Sequence, residues 1–475
     1  MVTDLKVNVA VIGAGTAGLG ALREIRKQTD DFVLINEGHY GTTCARVGCM
    51  PSKVFIQAAN EYHTRFLLEQ YGAEDVQNIK IDTALVMKRV RDLRDRFVRS
   101  VLKTTDDLGE KNIQGHARFI EPNVLDIDGR IIRADAVVVA AGSSPFVPSG
   151  WQKFGSRVLT TDDFFEADDL SGQWGVVGGG IIGLELGLAL SRLGISTRIV
   201  EARDMIGGLT DPEVNRRAVR IIQEDHELLL GAKTDIDLSS ADRLSLSCGN
   251  KKCQVDRVLV AMGRRPQIKG LGLDALGVEL DDHGMPPFDP STMQVADLPV
   301  YLAGDVTGTR PLLHEAADEG RIAGYNAVRD KAHCFRRRVP LAVTFSEPNI
   351  AVAGKSFREL QDQDKIIGSA DFGQQGRARI MSKNAGLLRI YAEPECGRLL
   401  GAEMAAPDGE YIAHLLAWAV QNGWTACHMR NLPFYHPTIL EGLRSALRDV
   451  HRQTKNPQPE MELPPCEPLA GECFN

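Results

Sequence analysis

The apolar positions of this chain change period along its length. Val9-Ala10-Val11-Ile12 is an unbroken apolar run, the pattern of a strand buried on both faces of a parallel sheet. It enters Gly13-Ala14-Gly15-Thr16-Ala17-Gly18, and an Ala- and Leu-rich helical segment follows. Phe32-Val33-Leu34-Ile35 predicts a second strand, ending at Glu37. The construction repeats. Gly175-Val176-Val177 leads into Gly178-Gly179-Gly180-Ile181-Ile182-Gly183, a helix is predicted over about 184–193, and Thr197-Arg198-Ile199-Val200 ends at Glu201. From about residue 339 the pattern alternates, as in Leu387-Leu388-Arg389-Ile390-Tyr391, then turns helical from Glu410 to about Asn422. Alternation predicts an antiparallel sheet with one covered face.

Each glycine run, with its strand, helix and trailing acid, predicts a dinucleotide site. The first glycine (Gly13, Gly178) makes the turn, and the second (Gly15, Gly180) lets a pyrophosphate approach the backbone. The third (Gly18, Gly183) lets helix and strand pack closely. The helix N-terminus holds the phosphates and the acid, Glu37 or Glu201, accepts from a ribose hydroxyl. Two units predict two dinucleotides. Glu201 favours NAD over NADP by repelling an extra phosphate. Arg203, two residues on, is either a receptor for that phosphate or a solvated loop charge.

Between the units lies Cys44-Ala45-Arg46-Val47-Gly48-Cys49, followed by Met50-Pro51-Ser52-Lys53. Two thiols this close can form an internal disulfide and exchange it for two electrons, with little loop entropy to overcome. A regular helix would hold them apart around its surface, so a disulfide requires a distorted first turn. Gly48 permits that distortion, and Pro51 suits the start of the helix that follows. Lys53 then lies one turn past Cys49. The alternatives are a pair of buried thiols or half a zinc site, but no further Cys or His stands nearby at zinc spacing.

Together these segments resemble the flavin-dependent disulfide reductases of the class I pyridine nucleotide-disulfide oxidoreductase family, within it most of all the dihydrolipoamide dehydrogenases, from about Val7 to Arg448. The cysteine segment is similar to the family's GGTCxNxGCxPSK, written here from Gly41 to Lys53. Further landmarks are Val139-Ala140-Ala141-Gly142-Ser143, Val260 to Pro266, and Tyr301-Leu302-Ala303-Gly304-Asp305. Ala141 replaces the family's usual Thr. The resemblance implies FAD and NAD as cofactors. It implies flavin or nucleotide contacts at Thr43, Lys53, Gly115, Gly142, Ser143, Gly263 and Asp305. It also implies an α/β fold of two Rossmann-like FAD- and NAD-binding domains with an α+β C-terminal dimerisation domain. The boundaries expected are 1–145 and 270–338 for FAD, 146–269 for an inserted NAD domain, 339–452 for the interface and 453–475 for a flexible tail.

Phe434-Tyr435-His436-Pro437-Thr438-Ile439-Leu440-Glu441 resembles the family's HxHPTxxE, which makes His436 the acid/base and Glu441 its orienting carboxylate. A histidine near its ordinary pKa takes a thiol proton at neutral pH, and a carboxylate on its other nitrogen fixes the tautomer. Phe434 stands where the family has its first histidine. By resemblance, Cys44 exchanges with substrate, Cys49 faces the flavin, and Glu185 pairs with Lys53 beside it. The alternative for Glu185 is a surface glutamate on the NAD-domain helix. In the family the histidine acts on the partner's disulfide, so a homodimer is expected. The expected reaction is oxidation of dihydrolipoamide, or of a separate lipoyl-carrier protein of a 2-oxoacid dehydrogenase complex, by NAD+.

At 475 residues, 43% hydrophobic and 25% charged, the composition is that of a globular protein of about three domains. The net charge of −8 argues against nucleic acid. Arg336-Arg337-Arg338 is read as a solvated linker. No apolar run reaches membrane-spanning length and no signal-peptide pattern is seen, so a cytoplasmic location is expected. No metal site is expected. Cys248, Cys253, Cys334, Cys396 and Cys427 read as ordinary thiols. Cys466 and Cys473, in a Pro-rich tail, loosely resemble the C-terminal cysteine shuttles of mercuric and large thioredoxin reductases but read better as incidental. Two other functions stand against the first: a reductase of another disulfide or of mercuric ion, against which the lack of a metal-binding module before Val7 weighs, and a non-enzymatic flavoprotein.

Overall fold

The computed structural model describes residues 4–240 and 243–456. The chain divides into two compact units. One gathers Met1–Ala59, Lys80–Ser171 and Leu259–Arg337, and the other Asn60–Ile79, Gly172–Val258 and Arg338–Asn475.

In the first unit, parallel strands run in the order Asn112–Gln114, Phe32–Asn36, Leu5–Ile12, Arg130–Val139, with Val300–Leu302 also pairing with Arg130–Val139. Val9, Ala10 and Val11 are fully buried, as the unbroken apolar run requires. The register sets Ile12 beside Ile35 and Val139, so the first glycine loop leaves the sheet at the carboxyl ends of its strands. Helix Thr16–Ile25 crosses helix Leu313–Asn326 at close range. A side chain at Gly320 would meet the carbonyl of Ala17 at 2.1 Å, and one at Gly324 the carbonyl of Ala21 at 2.3 Å.

The second unit repeats the parallel arrangement with Glu227–Leu229, Thr197–Val200 and Trp174–Val177, and adds a three-stranded antiparallel sheet of Thr234–Leu238, Leu244–Cys248 and Lys251–Val255. Its C-terminal part is a five-stranded antiparallel sheet in the order Leu341–Thr344, Asn349–Gly354, Leu399–Ala406, Leu387–Ala392, Ile366–Asp371. Helices Gly409–Gln421 and Leu440–Gln453 cover it, and Leu388, Ile390, Met404, Ile412, Leu416 and Leu447 form its core. The helix expected over 410–422 is there, and the alternating strand at 387–391 is the sheet's fourth. Buried Asp211 ties this sheet to the nucleotide-binding part. It accepts from Arg389 Nη1 at 2.7 Å and Tyr391 Oη at 2.9 Å and caps helix Pro212–Asp225. Buried Glu403 accepts from the backbone of Thr210 and Asp211.

One expectation is corrected here. Arg337 is not a solvated linker residue. It bonds Glu315 at 2.5 Å and Glu319 at 2.9 Å, and both carboxylates are almost fully buried. Glu319 also accepts from Gly304 N at 2.8 Å. A buried carboxylate needs a cation, and the run of arginines supplies it. Burial still pushes the Glu319 carboxyl above its ordinary value against the pull of Arg337.

Candidate active site

The cysteine segment folds as two helices, Thr43–Val47 and Cys49–Leu68, broken at Gly48. Thr42 caps the first. Its side chain accepts from Ala45 N while its backbone sits at φ 59°, a region that costs a β-branched residue energy. The break is also a close approach. A Cβ on Gly48 would lie 3.0 Å from the carbonyl of Thr43 and 3.2 Å from the Cα of Cys44. That approach brings the two thiols together, and Cys44 and Cys49 share a hydrogen bond. This bond, burial and the charge on Cys49 push the Cys44 thiol up, while the Lys53 ammonium pulls it down. Pro51 is buried in the first turn of the second helix, and Lys53 is half-buried one turn past Cys49. Thr43 is exposed at the first position of its helix.

The first glycine loop is shaped by contact. Gly13 has φ 105°, and a Cβ there would lie 2.2 Å from the carbonyl of Ala140. Gly18 packs so tightly that a Cβ would lie 1.8 Å from the carbonyl of Gly13. At Gly15 nothing stands within 4 Å, so a ligand can approach the N-terminus of helix Thr16–Ile25 there. The side chain that ties this loop is Asn36, whose Oδ1 accepts from Ala14 N at 3.0 Å. Asn36 belongs to none of the sequence motifs. A short amide at a strand's carboxyl end is the signal that was available. Glu37 lies outside, its side chain 72% exposed, and bonds His116 Nδ1 at 2.8 Å. His116 Nε2 in turn meets the carbonyl of Gly270 at 3.1 Å. The bond to Glu37, then that carbonyl, raises His116 above its ordinary value. Gly115, just before it, donates its N–H to the carbonyl of Asn36 at 3.1 Å.

The landmarks far apart in sequence converge. Ser143 Oγ donates to Asp305 Oδ2 at 2.7 Å. Arg264 Nε donates to Ser143 Oγ at 2.8 Å, and its Nη2 to the Ser143 carbonyl at 2.6 Å. Gly142 and Gly263 carry positive φ on either side of the short pairing of Ser143–Pro145 with Arg264–Pro266. Arg264 lies inside the landmark Val260 to Pro266, and only its bonds to Ser143 give it a role.

In the second unit the acid turns inward. Glu201 is only 7% exposed. Its Oε2 accepts from Gly179 N at 2.7 Å and its Oε1 from Arg203 N at 2.9 Å. Arg203 Nε also donates to Oε1 at 3.4 Å, so one lone-pair position, on Oε2, remains on the carboxylate for a ribose hydroxyl. Gly178 turns the chain at φ 116°, Gly180 caps helix Ile181–Arg192 with nothing within 4 Å, and Gly183 is buried in its first turn. The Arg203 side chain is exposed, with Nε 3.4 Å from Glu201. Glu185, on the same helix, is buried and accepts from Phe345 N at 2.9 Å. The surface alternative for it is therefore overturned, because the helix buries that face against the C-terminal sheet.

His436 Nδ1 lies 3.0 Å from Glu441 Oε1, and Glu441 Oε2 accepts from Thr438 N at 3.2 Å. Glu441 stands in the first turn of helix Leu440–Gln453, where a negative charge is favoured. Its bond from His436, then the Thr438 N–H and nearby cations, holds the carboxyl below its ordinary range. The arrangement leaves Nε2 of His436 for proton exchange, and the ring is 80% exposed. Phe434 packs against the C-terminal core.

A family model of pyridine nucleotide-disulphide oxidoreductases matches residues 7–320, and that family's dimerisation domain matches residues 340–447. The chain belongs to this family. The oxidoreductase is 29% identical over 457 residues to dihydrolipoyl dehydrogenase of Bacillus subtilis, covering 93% of this chain and 98% of that one. It is 27% identical to the mitochondrial dihydrolipoyl dehydrogenase of Schizosaccharomyces pombe, covering 93% and 89%. In structure it is similar to LpdA of Mycobacterium tuberculosis, with TM-score 0.80, 24% identity and coverage of 93% and 99%. It is similar also to the HOCl-induced flavoprotein disulfide reductase RclA of Escherichia coli in its Cu(II) complex, with TM-score 0.80, 20% identity and coverage of 93% and 99%. The family uses FAD and a pyridine nucleotide, and the open backbone at Gly15 and Gly180 fits a pyrophosphate at each loop. Among the described residues no helix is long and apolar enough to cross a membrane, and no cluster of three or more His, Cys, Asp or Glu is arranged to hold a metal ion. Cys466 and Cys473 lie outside the described residues.

Proposed function

We propose that this flavoprotein oxidises dihydrolipoamide, free or on a lipoyl carrier protein, with NAD+. The observation that carries the reading is the His436–Glu441 pair, joined at 3.0 Å, in a chain whose Cys44 and Cys49 thiols already share a hydrogen bond. Glu441 fixes the Nδ1–H tautomer, so Nε2 takes the proton of a substrate thiol. The resulting thiolate attacks Cys44 of the oxidised pair, and Cys49 leaves as a thiolate facing the Lys53 charge. The second substrate thiol then attacks the mixed disulfide at the substrate's own sulfur, which closes the lipoyl ring and releases Cys44 as the thiol. FAD bound beside Cys49 would supply the two-electron transfer between the cysteine pair and NAD+. Thr43, Lys53, Gly115, Gly142, Ser143, Gly263 and Asp305 hold the flavin in this reading, and the inward Glu201 holds the NAD ribose.

The exposed His436 ring and the dimerisation-domain match support a homodimer in which the ring serves the partner subunit's cysteine pair. Residues 146–269 act as the NAD domain and 339–452 as the interface. The names of the similar relatives support the lipoyl substrate. Phe434 in place of the family's first histidine favours a second reading, a related disulfide as the physiological substrate.

The test is steady-state turnover of dihydrolipoamide, glutathione disulfide, thioredoxin and mercuric ion with both nicotinamides. Dihydrolipoamide with NAD+ is expected to lead. Cys44→Ser abolishes that turnover and His436→Gln lowers it by roughly 10²- to 10⁴-fold. Mixing the two inactive variants restores activity if the site is shared between subunits, and an active monomer rules the sharing out.

A further inference from the structure

Away from the glycine loops, the second unit holds a cleft of about 530 Å³. It lies between the edge of the parallel sheet and the three-stranded antiparallel sheet. Val200 and Leu228 line it from one side, Leu246 and Cys253 from the other. Its volume falls in the range of small-ligand sites. No residue of the nucleotide loop lines it: Gly178, Gly180, Gly183, Glu201 and Arg203 are all absent from its walls.

Three cations meet there. Arg198 pairs with Glu227 and bonds the Cys253 thiol, so its guanidinium is held in place on the cleft wall. Lys251 and Lys252 open the facing strand Lys251–Val255 and are exposed. Glu227 is the one carboxylate among the lining residues, and burial holds His226 neutral at pH 7. The cleft therefore carries a net positive charge in a chain whose net charge is −8. An anion would be drawn to it, and the apolar walls beside the cations suit a small hydrocarbon body.

We propose that this cleft binds a small organic anion, an aryl or alkyl group bearing one phosphate or carboxylate, at a site separate from the nucleotide and disulfide sites. The anionic group lies against Lys251, Lys252 and Arg198, and the body lies against Leu228 and Leu246. Cys253 sits at the same wall and serves as an internal reporter.

The experiment is calorimetric titration of FAD-loaded protein, saturated with NAD+ so that the nucleotide loops are filled, with phenyl phosphate, benzoate and, as the neutral control, phenol. One site per chain is expected for at least one of the anions and none for phenol. Lys251→Gln/Lys252→Gln, two exposed positions, is expected to weaken binding about ten-fold. The bound anion should slow iodoacetamide alkylation of Cys253 and leave exposed Cys334 unchanged. The proposal fails if neither anion binds at millimolar concentration, if phenol binds as tightly, if the double variant binds like the parent, or if Cys253 is not protected.

Discussion

The two nucleotide-binding halves share one construction and solve it with different side chains. In the first, the loop is tied by Asn36 and the acid, Glu37, stands outside against His116. In the second, Glu201 does both tasks, bonding its own loop and keeping a lone pair for a ligand. The first acid is therefore dispensable for loop geometry and the second is not. The same contrast separates the two histidines nearby. His116 gains a carboxylate and a carbonyl partner, whereas His226 is buried beside Arg192 and His63.

The comparison breaks first at the glycines that face open space. Gly15→Ala and Gly180→Ala add a methyl group that meets nothing in the protein, so both variants should fold. Each new Cβ lies in the path of a pyrophosphate. Gly15→Ala is expected to be purified largely without flavin. Gly180→Ala keeps its flavin and raises KM for the nicotinamide nucleotide by roughly 100-fold. Flavin absorbance and steady-state kinetics check the pair, and full flavin in Gly15→Ala would overturn the assignment of that loop.

The pH dependence of the two histidines has opposite sign. Burial, then the Arg192 charge, lowers His226 from 6.5 to about 4. Between those values the unfolded chain holds a proton that the folded unit refuses. Stability is therefore complete above pH 6.5 and is lost as pH falls toward 4, by up to about 3 kcal/mol. His226→Asn should flatten that limb of a denaturation profile.

A smaller effect separates the acids. Glu201→Ala is expected to raise KM for NAD+ about ten-fold, through two lost backbone bonds and the lost ribose acceptor. Glu37→Ala should change flavin retention less than Asn36→Ala does, measured by dissociation of flavin in mild denaturant. The smallest effect is at His116. Its partners raise it, so its contribution is complete below pH 6.5 and is lost as pH rises through the folded value. Exposure screens the pair, so under about 0.5 kcal/mol is expected, read as the difference between parent and His116→Gln.

The legible features are short-range ones. The buried runs at 9–12 and 32–35, the glycine spacings and the alternation at 387–391 mark their elements because periodicity and steric exclusion act within a few residues. The break at Gly48 was readable for the same reason, since two thiols five positions apart cannot meet on a regular helix. The pairing of His436 with Glu441 also spans one turn and a helix start.

Other features were settled by residues brought together from far along the chain. Arg337 looked like a solvated charge until Glu315 and Glu319 appeared beneath it. For Glu185 a surface position stood as the alternative until the backbone of Phe345 reached it across 160 positions. His116 gives no signal of its own, because its partner Glu37 lies 79 residues away. The sequence by itself determined where strands, turns and reactive thiols lie. Tertiary packing decided which charged groups are buried and what neutralises them, because the cost of burying a charge depends on partners that only the folded chain assembles.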